Sequence, residues 1–149
     1  MSLSEQALAG ALSIADLRRI ARRRLPRAVF EFIDGGSEDE LTLAENRRAF
    51  ERRRIVRRVL VDVSEPSMRT SLLGAPTAAP FVIAPMGSCA LAWPEAALAI
   101  ARAACAAGIP YTLSTMSTTS IERMAQAVQG RLWFQLYVLR DRDFITRLI

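Results

Sequence analysis

Three short apolar runs punctuate the second half of the chain, and each closes on a polar or turn-forming residue. They are Phe81-Val-Ile-Ala-Pro85-Met86-Gly87, Tyr111-Thr-Leu-Ser114-Thr115 and Leu132-Trp-Phe-Gln135-Leu-Tyr137-Val138. Runs of this length and composition read as buried parallel strands that deliver polar groups to one shared rim, the place where parallel sheets and barrels bind ligands. Helical stretches separate them. Pro94 opens an Ala-rich helix that ends at Gly108 and Pro110, and Thr119-Ser-Ile-Glu122 opens another that ends at Gly130. The strand starts at Phe81, Tyr111 and Leu132 fit successive βα units. Asp141 to Ile149 begins the next helix. The pattern predicts an α/β chain and leaves two architectures open, a β/α barrel or a doubly wound sheet. No G-x-G-x-x-G follows the first strand, so the dinucleotide-binding form of the second has little support.

The first half is patterned differently. Ser13-Ile-Ala-Asp16 resembles a capping box, and Ile14, Leu17, Ile20 and Ala21 recur at helical spacing, which predicts a helix to about Arg24. Pro26 suits the first turn of a second helix carrying Val29, Phe30 and Ile33, ended by Gly35-Gly36. Ser37-Glu-Asp-Glu40 reads as a clearer capping box, predicting a helix from Glu38 to about Arg53 with arginines at its far end. Ile55 to Val63 reads as extended. Met68 to Gly74 and the Ala/Pro stretch after it suggest a small strand and turn that cover one end of a barrel. A helical segment over residues 1–64 and the first part of an α/β unit over 65–149 is the expected organisation.

Charge adds a constraint on chemistry. All 20 basic residues are arginine, and the chain has neither lysine nor histidine, at a net charge of +5. The commonest general bases are therefore missing. Thirteen arginines fall between Arg18 and Arg58, which raises an anionic partner such as nucleic acid or a membrane surface. Interleaved acids from Glu31 to Glu51 favour a solvated helical surface instead, and no aromatic stacking platform lies near the arginines. No nucleic-acid partner is expected. Cys89 and Cys105 stand outside any CxxC or Cys/His pattern, so they read as core fillers and no metal is expected. Thr77 to Pro94 carry no charge, but Pro80, Pro85, Gly87 and Pro94 divide the stretch into strand, loop and helix start. Met1 to Gly10 lacks the order of a secretory signal, and a cytoplasmic compartment follows as the default.

Several motifs taken together point further. Phe30-Glu-Phe-Ile-Asp34-Gly35-Gly36-Ser37-Glu38-Asp39-Glu40, then Asn46-Arg47-Arg48-Ala49-Phe50 and Leu60-Val-Asp62-Val63-Ser64, closely resemble the amino-terminal region of the FMN-dependent α-hydroxy-acid dehydrogenases and oxidases. Ile83-Ala84-Pro85-Met86-Gly87, Leu113-Ser114-Thr115 and Trp133-Phe134-Gln135-Leu136-Tyr137-Val138 continue the match in order. Among members, the chain looks most like the bacterial L-lactate and mandelate dehydrogenases. The resemblance implies a (β/α)8 barrel of which only the first three strands are visible here, so the chain is expected to be a fragment. It implies FMN over the carboxyl ends of the strands and hydride transfer from the α-carbon of a 2-hydroxy acid to flavin N5. The electron acceptor stays open among quinone, cytochrome and oxygen. Peripheral membrane association, a homo-oligomer and a complementing chain all fit the resemblance.

Carried over by position, Ala84, Pro85 and Met86 would run their backbone beside the flavin ring, and Ser114 and Gln135 would serve its polar edge without introducing charge. Tyr137 would contact the substrate and stabilise charge in the transition state, and Met116 would shape the pocket for the substrate side chain. Phe32 departs from the family, which usually places tyrosine there to hold the substrate carboxylate. Losing such a hydrogen bond typically costs ~1.5–3 kcal/mol. The family's histidine base, arginine clamp, lysine and phosphate loop come from later strands. The resemblance therefore implies an enzyme family while this chain alone is expected to be inactive, or to act as a non-catalytic half barrel that pairs with a separate chain.

Overall fold

In a computed structural model that describes residues 8–148, the chain divides into two compact units, meeting at Asp62 and Val63. The amino-terminal unit holds α1 (Ile14–Arg24), α2 (Arg27–Asp34) and α3 (Leu41–Glu51). Ser13 caps α1 by accepting from the Asp16 amide, while the Asp16 carboxylate accepts from the Leu12 amide and the Ser13 hydroxyl. The spacing is that of a capping box, with the return bond made to the Leu12 amide and by an aspartate one methylene shorter than the usual glutamate. Arg18 grips Asp34 with two hydrogen bonds of 2.5 and 2.6 Å, which joins α1 to the end of α2.

These contacts make the unit acid-sensitive. The Ser13 hydroxyl holds the Asp16 carboxyl below the usual carboxylate range, and the Arg18 guanidinium does the same for Asp34. A depressed carboxylate contributes stability that is complete above the unfolded value and is lost as pH falls through the folded one. Helical circular dichroism should therefore hold at pH ~5 and decline below ~4, with Asp34→Asn flattening part of that decline. An unchanged acid profile in that variant would remove Asp34 from the account.

The third helix starts later than its sequence suggests. Glu38 and Glu40 take φ of 51° and 56°, and α3 begins only at Leu41 with Glu40 as its cap. The reason is competition for the carboxylate: Glu40 Oε1 accepts from the Gly36 amide at 3.0 Å, so the expected box on Ser37 does not form. Gly35 ends α2 in an extended conformation, with no left-handed turn. Its missing side chain matters for space instead, because a Cβ there would stand 2.9 Å from the Glu31 carbonyl. Residues 52–62 contain no strand, and Ile55, Val56 and Leu60 are fully or almost fully exposed.

The second unit opens with an antiparallel hairpin, β1 (Thr70–Leu72) and β2 (Ala75–Thr77). Leu73 and Gly74 turn it with φ of 46° and 75°, the two positive values that a two-residue primed turn needs. A 3₁₀ turn (Cys89–Leu91), α4 (Ala96–Ala106), β3 (Tyr111–Leu113), α5 (Ile121–Ala127), β4 (Leu132–Phe134) and α6 (Arg142–Leu148) follow. The helices α4 and α5 both stop two or three residues before the glycines expected to end them. Ile149, in the expected last helix, lies outside the described residues.

The parallel pair β3–β4 aligns Tyr111 with Leu132 and Leu113 with Phe134. The first expected strand is reduced to a single bridge, Ile83 to Tyr111, in which Ile83 donates to Pro110 and accepts from Thr112. Proline explains the reduction: Pro80 and Pro85 flank the run and have no amide to extend a ladder. Among the described residues the unit is thus α/β with no closed barrel.

The core lies between this sheet and its helices. Ala97, Leu98, Ala101 and Ala104 of α4 pack on Tyr111 and Leu113 of β3, with Met124 of α5 and Val128 beside them. Alanines let α4 lie close to the strand, and Leu98 and Met124 each contribute roughly 1.5–3 kcal/mol by burial. Because Tyr111 and Leu113 face the helices, Thr112 and Ser114 must point to the opposite face of the strand. Ser114 is nevertheless only 3% exposed.

Candidate functional site

Parallel register puts the carboxyl ends of β3 and β4 on the same side of the sheet, and the loop after Ile83 runs beside them. Gly87 brings that loop in: a Cβ there would stand 2.9 Å from Cβ of Met116, and the Ser88 amide donates to the Met116 carbonyl at 3.1 Å. Pro85 is half-buried and Ala84 exposed, so the Ala84-Pro85-Met86 backbone lines the open side of this loop. Cys89 donates its thiol hydrogen to the Met86 carbonyl at 3.5 Å, and burial pushes that thiol's pKa up, which suits a packed cysteine better than a nucleophile.

At the centre of the rim, the Ser114 hydroxyl donates to Gln135 Oε1 at 3.1 Å and accepts from the Met116 amide at 3.1 Å. The Ser114 hydroxyl, expected at a ligand's polar edge, here bonds the Gln135 side chain. With Oε1 engaged by Ser114, the donor end of the Gln135 amide is its nitrogen, with two hydrogens. Thr115, which sequence reasoning assigned no role, reaches across to the same segment: its hydroxyl donates to the Gln135 carbonyl and accepts from the Tyr137 amide at 3.2 Å.

Tyr137 falls beyond the end of β4 at Phe134, so strand alternation does not set its direction. It is held through its backbone, and its ring is 43% exposed. Met86 and Met116 are 42% and 57% exposed on the same rim. The structure thus brings together Ala84, Pro85, Met86, Ser114, Met116, Gln135 and Tyr137, all within the second unit. Phe32 belongs to the other unit, on α2, with 72% of its surface exposed.

The larger concavities lie elsewhere. Spaces of about 550 and 360 Å³ flank the Arg18–Asp34 pair in the amino-terminal unit and are lined mainly by charged side chains, of which Arg18 and Asp34 pair between helices and Arg27 and Glu31 pair within one. We place the chemistry at the rim rather than there, because only the rim gathers backbone, amide, hydroxyl and phenol groups from successive parallel strands. Among the described residues, no group of His, Cys, Asp and Glu could hold a metal ion, and no helix is long and apolar enough to cross a membrane.

Parallel strand ends that offer uncharged hydrogen-bonding groups beside exposed methionines define an α/β rim of the kind at which parallel sheets bind ligands. Comparison with known proteins gives that class its identity. The FMN-dependent dehydrogenase family matches residues 21–149, and the chain belongs to that family. It is 51% identical over 147 residues to a Mycobacterium tuberculosis protein named "Putative L-lactate dehydrogenase", covering 98% of this chain and 36% of that one. It is 43% identical to (S)-mandelate dehydrogenase of Pseudomonas putida, over 85% of this chain and 32% of the relative. Among solved structures, a monotopic membrane (S)-mandelate dehydrogenase superposes with a TM-score of 0.86 at 41% identity, covering 90% of this chain and 36% of that one. The chain therefore spans about a third of the length of these relatives. FMN is the family's cofactor.

Proposed function

We propose that this chain supplies the flavin-facing first part of a (β/α)8 barrel that oxidises an L-2-hydroxy acid such as lactate or mandelate. The observation that carries the reading is the Ser114–Gln135 hydrogen bond, which joins two uncharged polar side chains at the ends of two parallel strands and engages Gln135 through its oxygen. Such a donor set suits a flat heterocycle with carbonyl and N–H groups on one edge, and exposed Met86 and Met116 suit its apolar faces. FMN held there by Gln135 and the Ala84-Pro85-Met86 backbone would supply the hydride-accepting chemistry.

The residues of this chain then divide the remaining work. Backbone amides along Ala84-Pro85-Met86 are fixed dipoles beside the ring, and Pro85 limits their movement. Gln135 donates to the ring's polar edge, with Ser114 holding its orientation. Tyr137 supplies a phenol that donates to the substrate oxygen and favours developing negative charge there. Met116 borders the substrate side chain. Phe32 presents an aromatic face without the hydroxyl usual in the family, which weakens the grip on the substrate carboxylate.

Proton abstraction has no candidate base here, since the chain contains neither histidine nor lysine. The remaining strands, the base and the phosphate site come from sequence beyond these 149 residues, either in the same polypeptide or in a complementing chain. Unpaired β4 favours such completion, because no strand among the described residues covers its outer edge. Cytosolic residence, with the peripheral membrane association described for one mandelate dehydrogenase, is consistent with this reading.

The test is direct. Titration with FMN should quench flavin fluorescence, and Gln135→Leu should weaken binding about tenfold, the worth of one good hydrogen bond. Anaerobic L-lactate or (S)-mandelate should leave the visible flavin band unbleached. Rapid bleaching by either acid with this chain alone would place the general base within it and refute the division of labour. Binding that Gln135→Leu leaves unchanged would remove Gln135 from the flavin edge.

A further inference from the structure

We infer that Thr115 is a positioning residue for the catalytic rim: one hydroxyl, spanning two strands, sets the backbone from which Gln135 and Tyr137 project. This inference rests on the flavin-facing reading of the rim and deepens it. The ladder between β3 and β4 ends when the Gln135 amide donates to the Leu113 carbonyl at 2.9 Å. Beyond that bond the segment has left the sheet. Yet two of the backbone groups that follow, the Gln135 carbonyl and the Tyr137 amide, are both engaged by the Thr115 hydroxyl.

A hydroxyl suits this task because it carries one proton and two lone pairs, and so donates and accepts at once. The β-branch of threonine confines χ1, which keeps the oxygen between its two partners. Neighbouring Ser114 faces the Gln135 side chain, while Thr115 faces the Gln135 backbone. The two adjacent hydroxyls thereby fix both ends of the same residue. A rim segment held this way is organised before any ligand arrives, which preserves affinity that would otherwise go into ordering it.

The experiment compares the full 149-residue chain with Thr115→Val, which keeps the shape and loses the hydroxyl, and Thr115→Ser, which keeps the hydroxyl. Amide exchange at Tyr137 reads the tie without any flavin. It should rise at least about tenfold in the valine variant and stay near the parent rate in the serine variant, as expected for loss of one modest hydrogen bond. Protection at the Thr112 and Gln135 amides, which belong to the sheet, should persist and shows that the variant is folded. FMN affinity should fall about tenfold in parallel, with serine restoring it. Unchanged Tyr137 exchange in Thr115→Val overturns the inference, as does equal loss of protection at all three amides. A parent chain that binds no FMN would instead sink the flavin-facing reading, while the exchange measurement still decides the role of Thr115.

Discussion

Replacing Gly130 by alanine is expected to shift the urea midpoint of the second unit downward by the equivalent of about 1–3 kcal/mol. The new Cβ would stand 2.4 Å from Sγ and 2.6 Å from Cβ of Cys105 on α4. Neither atom has an easy retreat. The Cys105 side chain packs against the core formed by α4, β3 and α5, and its Cβ moves only with the helix backbone. Relief requires either a shift of α4 off the sheet or a displaced entry into β4, two residues downstream. Cys105→Ala removes the sulfur and leaves the Cβ, so it should restore only part of the loss when combined with Gly130→Ala. The pair should be non-additive because the two sites touch. A midpoint equal to the parent's in Gly130→Ala alone would show that this contact yields freely. The consequence reaches the proposed site because β4 leads into the segment that holds Gln135 and Tyr137.

Much of this arrangement is legible from residue order. Spacing of apolar runs locates β3, β4 and their helices, and the resemblance carried by Phe30–Glu40, Ile83–Gly87 and Trp133–Val138 agrees with the family to which the chain belongs. Errors arise where a local alternative competes. Glu40 was equally able to complete a box at Ser37 or to accept from Gly36, and only the folded chain shows the second winning. The run from Phe81 reads as a strand, but with prolines on both sides only a single bridge at Ile83 forms. Thr115 escaped notice because a single hydroxyl leaves no periodic trace; its one clue was adjacency to Ser114 at a strand end.

A buried phenol illustrates the same limit. Tyr111 is 1% exposed, and its hydroxyl has no hydrogen-bond partner in the structure. Burial, reinforced by Cys89 nearby, raises its pKa and keeps it neutral. Sequence could place Tyr111 at a strand start, but not reveal that its oxygen would be left alone among alanines and leucines. The cost is borne by the core rather than by the rim, whose own hydroxyls at Ser114 and Thr115 are both paired.

Arg131→Met is expected to loosen the β1–β2 hairpin from the sheet, with a loss of roughly 3 kcal/mol built from two charge-assisted hydrogen bonds and a cation–π contact. The guanidinium donates to the Ala75 carbonyl at 3.0 Å and to the Leu72 carbonyl, the two residues that bracket the hairpin turn, and lies 5.1 Å over the Trp133 ring. Methionine preserves much of the apolar stem and removes every donor, so the loss isolates the polar contribution. Lysine should recover less than half of it, because a single ammonium cannot reproduce a planar fork aimed at two carbonyls while stacking on an indole. Hydrogen exchange localises the effect: amides of β1 and β2 should lose protection before those of β3. If both hairpin and sheet exchange as in the parent, the hairpin is held instead by the Ala78-to-Gly108 backbone bond and the Thr77 hydroxyl, which donates to the Gly108 carbonyl at 3.2 Å. The difference bears on the proposed barrel, since a hairpin fastened through Arg131 is tied to the start of the same strand whose end presents Gln135.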